Sequence, residues 1–346
     1  MSHTGFRPII VLLILYLFAT LLTIVASNLA GSPYVPIFKH TFAMLLLVLL
    51  YIGVMGIIWD GALIILGKCL EAWQKWIQPT CKYCHLTVSV TKNIRFYTLG
   101  PSPLILLLIT TFIIYGTGNI TLISLSLVGS TIEWRDPLFW AIEGPIIKWL
   151  IHFPINTAAW DTLYHSAWGI ELFAFFVLVL IGRNSKIVLS YCISMIILFY
   201  TGRFLGVINP VMGPAFFKPE LYTYLDGSVT ELAMQKVADI MASSPDLAKE
   251  QSGILLGGVS AMPSLHMGMV SLTAFWLAIV QRKTLFVTIP WILMVWTSTV
   301  VLGWHYLLDG VGGIALAAAC VWLTQRILLT YQVRSSSPSL SNTATT

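Results

Sequence analysis

Eight stretches of the chain run about 18 residues or more almost without charge, the length a helix needs to cross roughly 30 Å of hydrocarbon. They are Pro8 to Ala30, Thr41 to Leu66, Pro103 to Leu127, Leu163 to Ile181, Ile187 to Ile208, Ser264 to Val280, Leu285 to Leu302 and Gly310 to Leu329. Composition points the same way: 57% of the 346 residues are apolar and 10% charged, where a soluble domain carries roughly a quarter charged. The pattern excludes a soluble enzyme and predicts an all-α integral membrane protein of about eight transmembrane helices. The first run follows Arg7 as a signal peptide's would. It is longer than a signal's apolar region and no small-x-small cleavage site follows, so it reads as an uncleaved span.

The net charge of +5 comes from 19 Lys and Arg residues dispersed among short inter-helix segments, without the basic patch a nucleic-acid partner would require. Eight crossings alternate sides, so the positive-inside rule tests the assignment. With the N-terminus inside, the cytoplasmic segments hold 12 basic residues, from Arg7 and Lys68 through Arg282 and Lys283 to Arg334, against the single acid Glu71. The opposite face holds six basic residues and ten acids, among them Glu133, Asp136, Glu143, Asp161, Glu220 and Asp246. Both termini are therefore expected in the cytoplasm, in a plasma or inner membrane. On the far side, Ile132 to Trp160 is rich in Trp and Pro, the composition of a segment held at headgroup level. Asn209 to Met262 contains an expected amphipathic helix over Glu231 to Ser243, read equally well as part of a lid or of a solvated loop. The Ser- and Thr-rich tail from Arg334 is expected to be disordered.

Ionisable residues inside a bilayer are costly, which marks Asp60, Glu171, Arg203 and Asp309 as candidates for function. The informative cluster joins Ala261-Met262-Pro263-Ser264-Leu265-His266, opening the sixth run, to Gly303-Trp304-His305-Tyr306-Leu307-Leu308-Asp309, between the seventh and eighth. The topology puts both on the extracytoplasmic face. His305 and Asp309 are four apart, which on a helix brings their side chains together. An Asp beside a His fixes its tautomer and stabilises the imidazolium, freeing the other ring nitrogen to attack or to take a proton. His266 falls in the first turn of its helix, with Pro263 as a favourable starter and Ser264 as a cap, and a helix N-terminus suits a phosphate. Glycines at 303, 310, 312 and 313 would let helices approach closely. Two histidines so placed suit phosphoryl transfer, one attacking phosphorus and carrying it, the other protonating the leaving oxygen. Neither task needs a metal, and no metal or other cofactor is expected. Singly, these residues would pass as interfacial histidines and a helix-capping aspartate; on one face, one hairpin apart, they define a catalytic site.

The two motifs resemble the second and third signature motifs of the type 2 phosphatidic acid phosphatase superfamily, integral-membrane enzymes with a six-helix core. The His-Tyr-x-x-Asp form looks most like the branch of fungal inositol phosphorylceramide synthase and related sphingolipid phosphotransferases, over roughly Ile187 to Leu329. The resemblance implies His305 as nucleophile, Asp309 as its orienting partner and His266 as general acid. It also implies a phosphohistidine intermediate and a phospholipid or lipid-phosphate substrate. It divides the chain into two N-terminal helices with a cytoplasmic loop (residues 1–98), a catalytic helical core (99–330) and a disordered cytoplasmic tail (331–346). Departures bear on the branch. Ser298-Thr299 stand where the phosphatase form has Ser-Arg, and the first phosphatase motif is missing; its nearest counterpart is Arg203 with Asn209-Pro210. Ser264 and Arg203 are thus the candidate phosphate-binding residues, Arg203 with a snorkelling or ion-paired role as its alternative. Water as acceptor gives a phosphatase; an alcohol gives a phosphotransferase. Vanadium haloperoxidases share the histidine motifs but need a basic cage that this sequence lacks.

Three other signals compete. Cys81-Lys-Tyr-Cys84-His85 matches the covalent haem pattern, though on the cytoplasmic side, and with Cys69 it could also hold zinc. His165 and Glu171, with Asp161, suggest either a second polar pocket or ordinary packing. A transporter is the leading non-enzyme alternative and would show paired repeats of broken helices, which the sequence does not display.

Overall fold

The computed structural model describes residues 7–36, 38–77, 102–128, 130–182, 185–242 and 260–336. The regular elements among these residues are all helices, with no strand. In chain order the helices are α1 (Arg7–Leu29), α2 (Phe38–Ile77), α3 (Ser102–Tyr115), α4 (Gly118–Leu127), α5 (Asp136–Ile151), α6 (Thr157–Gly182), α7 (Ser185–Ile208), α8 (Pro214–Phe217), α9 (Val229–Ala242), α10 (Leu265–Val280), α11 (Leu285–Val301) and α12 (Leu307–Ser336). Seven of the eight apolar runs lie in helices long and apolar enough to cross a membrane, counting α3 and α4 as one. The chain is a multi-pass membrane protein.

The sixth run forms α10, whose 16 residues fall short of a full crossing. Its ends explain the length: Ser264 caps it at one side and the extended backbone of Gln281 (φ −147°, ψ 101°) stops it at the other. α10 is the central helix. It packs most extensively on α12 and also on α6, α7 and α11, and Met267, Val270, Leu272 and Trp276 are all buried on it. A helix apolar on every side belongs in the middle of a bundle. α1 and α2 lie at the periphery, with Leu13, Leu17, Leu21, Leu47 and Ile57 facing outward, as lipid-exposed helices do. Cys192 and Cys320 pack in the core, and Asp60 is half-buried on α2.

The third run is broken at Gly116-Thr117. A Cβ on Gly116 would meet the Tyr200 hydroxyl at 2.7 Å, and Asn119 in the next turn reaches across to Val35, accepting from its N–H at 2.7 Å and donating to its carbonyl at 3.0 Å. The Trp- and Pro-rich segment contains α5, opened by Pro137 in the first turn, where the missing N–H costs nothing. Its amphipathicity runs opposite to that of a surface helix in water. Leu138, Ile142, Ile146 and Trp149 are exposed while Asp136 and Glu143 are 2% and 3% exposed. The apolar side suits a lipid surface; the acids point into the protein.

The amphipathic helix expected over 231–243 is α9. The Ser228 hydroxyl accepts from the Glu231 N–H at 3.0 Å and the Glu231 carboxylate from the Gly227 N–H, a reciprocal cap at the helix start. Thr230 and Met234 are buried on the cluster that holds Tyr306, so α9 covers that end of the bundle. The tail departs from expectation: α12 continues to Ser336, six residues into the segment read as disordered. Residues 337–346, the Cys81-x-x-Cys84-His85 segment and the basic residues Lys82, Lys92 and Arg95 lie outside the described residues.

Candidate active site

The segment leading into α10 and the turn leading into α12 are joined backbone to backbone. The Ser264 N–H donates to the Asp309 carbonyl at 2.9 Å. Gly313 lies against the Ser264 carbonyl and the Gly268 nitrogen so closely that a Cβ would overlap both. Gly313→Ala would therefore have to push two helix backbones apart, at about 1–3 kcal/mol for an overpacked contact. The expected result is a lower thermal midpoint in detergent together with reduced turnover; an unchanged midpoint would show that the crossing is not tight. Gly303, at φ +72° with Ala215 and Tyr222 against the place of its missing Cβ, occupies the left-handed region that glycine alone enters at no cost.

Ser264 is the N-cap of α10, its hydroxyl accepting from the Met267 N–H at 3.3 Å. Pro263 differs from expectation. It does not start the helix but precedes the cap, across a cis peptide bond from Met262. His305 also differs. It lies two residues before α12, in a turn where the Trp304 and His305 N–H groups both donate to the Thr299 carbonyl at 3.0 and 3.2 Å. The His305–Asp309 pair is thus formed across a helix start rather than along a helix. Asp309, in the first turn, accepts from the Tyr306 N–H through Oδ2 at 2.8 Å, and the same oxygen faces His305 Nδ1 at 3.5 Å. Capping pulls the carboxylate back over the turn and so toward His305. Asp309 is fully buried and His305 is 7% exposed, yet His305 Nδ1 and Asp309 Oδ1 make no hydrogen bond. Catalytic pairs in unliganded proteins are often this long and tighten around substrate.

The His266 ring is 6.3 Å from that of His305, centroid to centroid. Tyr164 and Trp168 of α6 flank it at 4.6 and 5.9 Å, and the Tyr164 hydroxyl reaches His266 Nδ1 at 3.4 Å. Tyr164 also stacks on Trp304 at 5.8 Å and 11°, and Trp304 Nε1–H donates to Thr230 of α9 at 3.4 Å. Three helices and the turn therefore converge on one histidine pair. Tyr164 carried no sequence signal, since a tyrosine in an apolar run reads as packing.

Two acids of α5 complete the site. Asp136 accepts from the Met212 and Gly213 N–H groups at 2.9 and 3.0 Å and from the Tyr306 hydroxyl at 3.3 Å. Glu143 accepts from the N–H groups of Leu307 and, at 2.8 Å, Leu308. Burial pushes both carboxyls above the usual carboxylate range, against hydrogen bonds that pull them down; the Asp309 carboxylate adds to the upward push on Glu143. The sequence offered one hint of them, acids in a segment otherwise fit for a membrane surface.

Arg203 does not join the histidines through the contact seen. Its guanidinium donates to the Thr121 hydroxyl at 2.8 Å. With Ser260, Pro263 and Leu265 it lines a cavity of about 20 Å³ that none of His266, His305 and Asp309 lines, enough for a water. Ser298 and Thr299, in place of Ser-Arg, turn their hydroxyls back to the carbonyls of Val295 and Trp296. Asp161 accepts from the Val229 N–H at 3.0 Å and stands 3.9 Å from His165, which ties α6 to the start of α9. Glu171 is buried at mid-helix, and no group of three metal-ligating side chains comes together among the described residues.

At one end of the helical bundle a His–Asp pair thus faces a second histidine. The family model of the PAP2 superfamily matches residues 132–323, more than half of the chain, and the protein belongs to that superfamily. The match begins before α5, and so includes Asp136 and Glu143 as well as all the helices around the histidines. No curated protein and no solved structure gives a significant match. Membership suggests phosphatase or phosphotransferase activity on lipid-like phosphates.

Proposed function

We propose that the protein is a metal-independent phosphotransferase acting on a phospholipid or lipid-phosphate through a phosphohistidine on His305. The observation that carries this reading is the buried His305–Asp309 pair at 3.5 Å with the His266 ring 6.3 Å away, close enough for one phosphoryl group to reach both histidines. With Nδ1 turned to Asp309, Nε2 of His305 is left to attack. A bond forms from that nitrogen to phosphorus as the bond to the lipid oxygen breaks, and His266 gives that oxygen its proton. In the second half the acceptor hydroxyl bonds to phosphorus, the P–N bond breaks, and the acceptor's proton returns to His266. The α10 N-terminus, whose positive dipole end lies beside His266, supplies electrostatic support to the phosphate. The first-motif basic residues are missing and Ser298-Thr299 replace Ser-Arg. Both favour the inositol phosphorylceramide synthase-like branch, with an alcohol acceptor, over the phosphatase branch. The loop charge balance favours a site on the extracytoplasmic face.

Purified protein turning over a phospholipid labelled at phosphorus should, on rapid quenching, carry acid-labile label on His305. The product should be a new phospholipid when ceramide or inositol is supplied. Turnover without label on His305 would overturn the mechanism, and release of free phosphate alone would assign water as the acceptor.

A further inference from the structure

Glu143 has no part in the reaction just described, yet both of its carboxylate oxygens are spent on the hairpin that carries the nucleophile. Leu307 and Leu308 donate to them from the first turn of α12. Two turns earlier on the same helix, Asp136 holds the Tyr306 hydroxyl. Three consecutive residues between His305 and Asp309 are therefore each tied to α5, 160 or more positions away in the chain. An anion is favoured at a helix N-terminus, and here a protein carboxylate occupies that place on α12. Asp309 sits one residue beyond Leu308, near enough for its charge and that of Glu143 to interact. Wherever Glu143 fixes the first turn, it fixes the direction in which the Asp309 carboxylate meets His305.

We propose that Glu143 is a positioning residue for the nucleophile, acting through Asp309, an inference that rests on the function proposed above. Its carboxylate holds the α12 terminus in the register at which Asp309 orients the His305 ring. A simple fold-stabilising role would lower the amount of folded protein; a positioning role lowers the rate of the folded protein's chemical step.

The test is a double-mutant cycle in the full-length protein, with Glu143→Gln and Asp309→Asn made singly and together. Gln keeps the shape but turns an amide N–H₂ toward a backbone N–H, so the terminus shifts. In an otherwise wild-type background Glu143→Gln should lower kcat about 10²-fold, the scale of a small misplacement at a reacting group, with KM within about twofold. In the Asp309→Asn background the same change should cost little, because the residue it acts through is already lost. Equal losses in both backgrounds, or no loss in either, would overturn the proposal. Should Glu143→Gln not accumulate as folded protein, Glu143→Asp takes its place in the cycle, with the same non-additivity expected and additivity again overturning it. Full activity in His305→Ala would instead refute the mechanism itself, whatever the cycle gives.

Discussion

Replacing His305 with alanine is expected to lower turnover of a phosphatidyl substrate by at least about 10⁴-fold, the scale on which removing a covalent nucleophile acts in enzymes that depend on one. The loss should fall on kcat, because the ring's attack exists only in the transition state. Folding should survive. The backbone of residue 305 is held by the Thr299 carbonyl, the helix that follows is capped by Glu143 and Asp309 side chains, and none of these contacts uses the imidazole. The measurement is turnover of labelled lipid by purified protein, beside a thermal melt showing that the variant is folded. A folded His305→Ala protein with full activity would leave the phosphohistidine mechanism without its nucleophile.

The positions of the spanning helices were legible from chain chemistry alone, because a bilayer imposes one rule on every residue of a span and the rule leaves long apolar runs. The site was legible in part for a different reason. Pro-Ser-x-His and His-x-x-x-Asp are short-range patterns, and alternation of spans puts their two ends on one side without knowledge of any contact. What could not be read depends on partners distant in sequence. Asp136 and Glu143 look like ordinary loop acids until α5 is seen turning its apolar side outward and its acids toward Tyr306, Leu307 and Leu308. The break at Gly116 is invisible in an apolar run, since what packs against it, the Tyr200 hydroxyl donating to the Ile113 carbonyl, comes from another helix. Spacing of four suggested a helical His305–Asp309 pair, but the helix begins at Leu307. The pair forms because Asp309 folds back to cap the turn, a geometry in which the same spacing brings the same groups together. Charge and position along the span single out Arg203, and one contact it makes is with Thr121; charge alone does not say which way a long side chain turns.

The histidines divide the labour unequally, and leaving-group chemistry separates their roles. If His266 protonates the departing lipid oxygen, His266→Ala should slow transfer from an ordinary phosphatidyl lipid by about 10²–10⁴-fold, the range general acid catalysis supplies. An alkoxide is a poor leaving group and needs that proton; a nitrophenolate does not. With a nitrophenyl phosphate ester as donor, the same variant should recover most of the wild-type rate of label transfer to His305, whereas His305→Ala should remain inactive on both donors. The Tyr164 contact sharpens the expectation. Its hydroxyl engages Nδ1 of His266, leaving Nε2 as the nitrogen that meets the leaving oxygen, so Tyr164→Phe should reduce the alkyl-ester rate more than the nitrophenyl rate. Equal losses on the two donors in His266→Ala would mean that this ring binds phosphate rather than giving a proton. The acid would then have to be sought among the groups around Trp304 and α9.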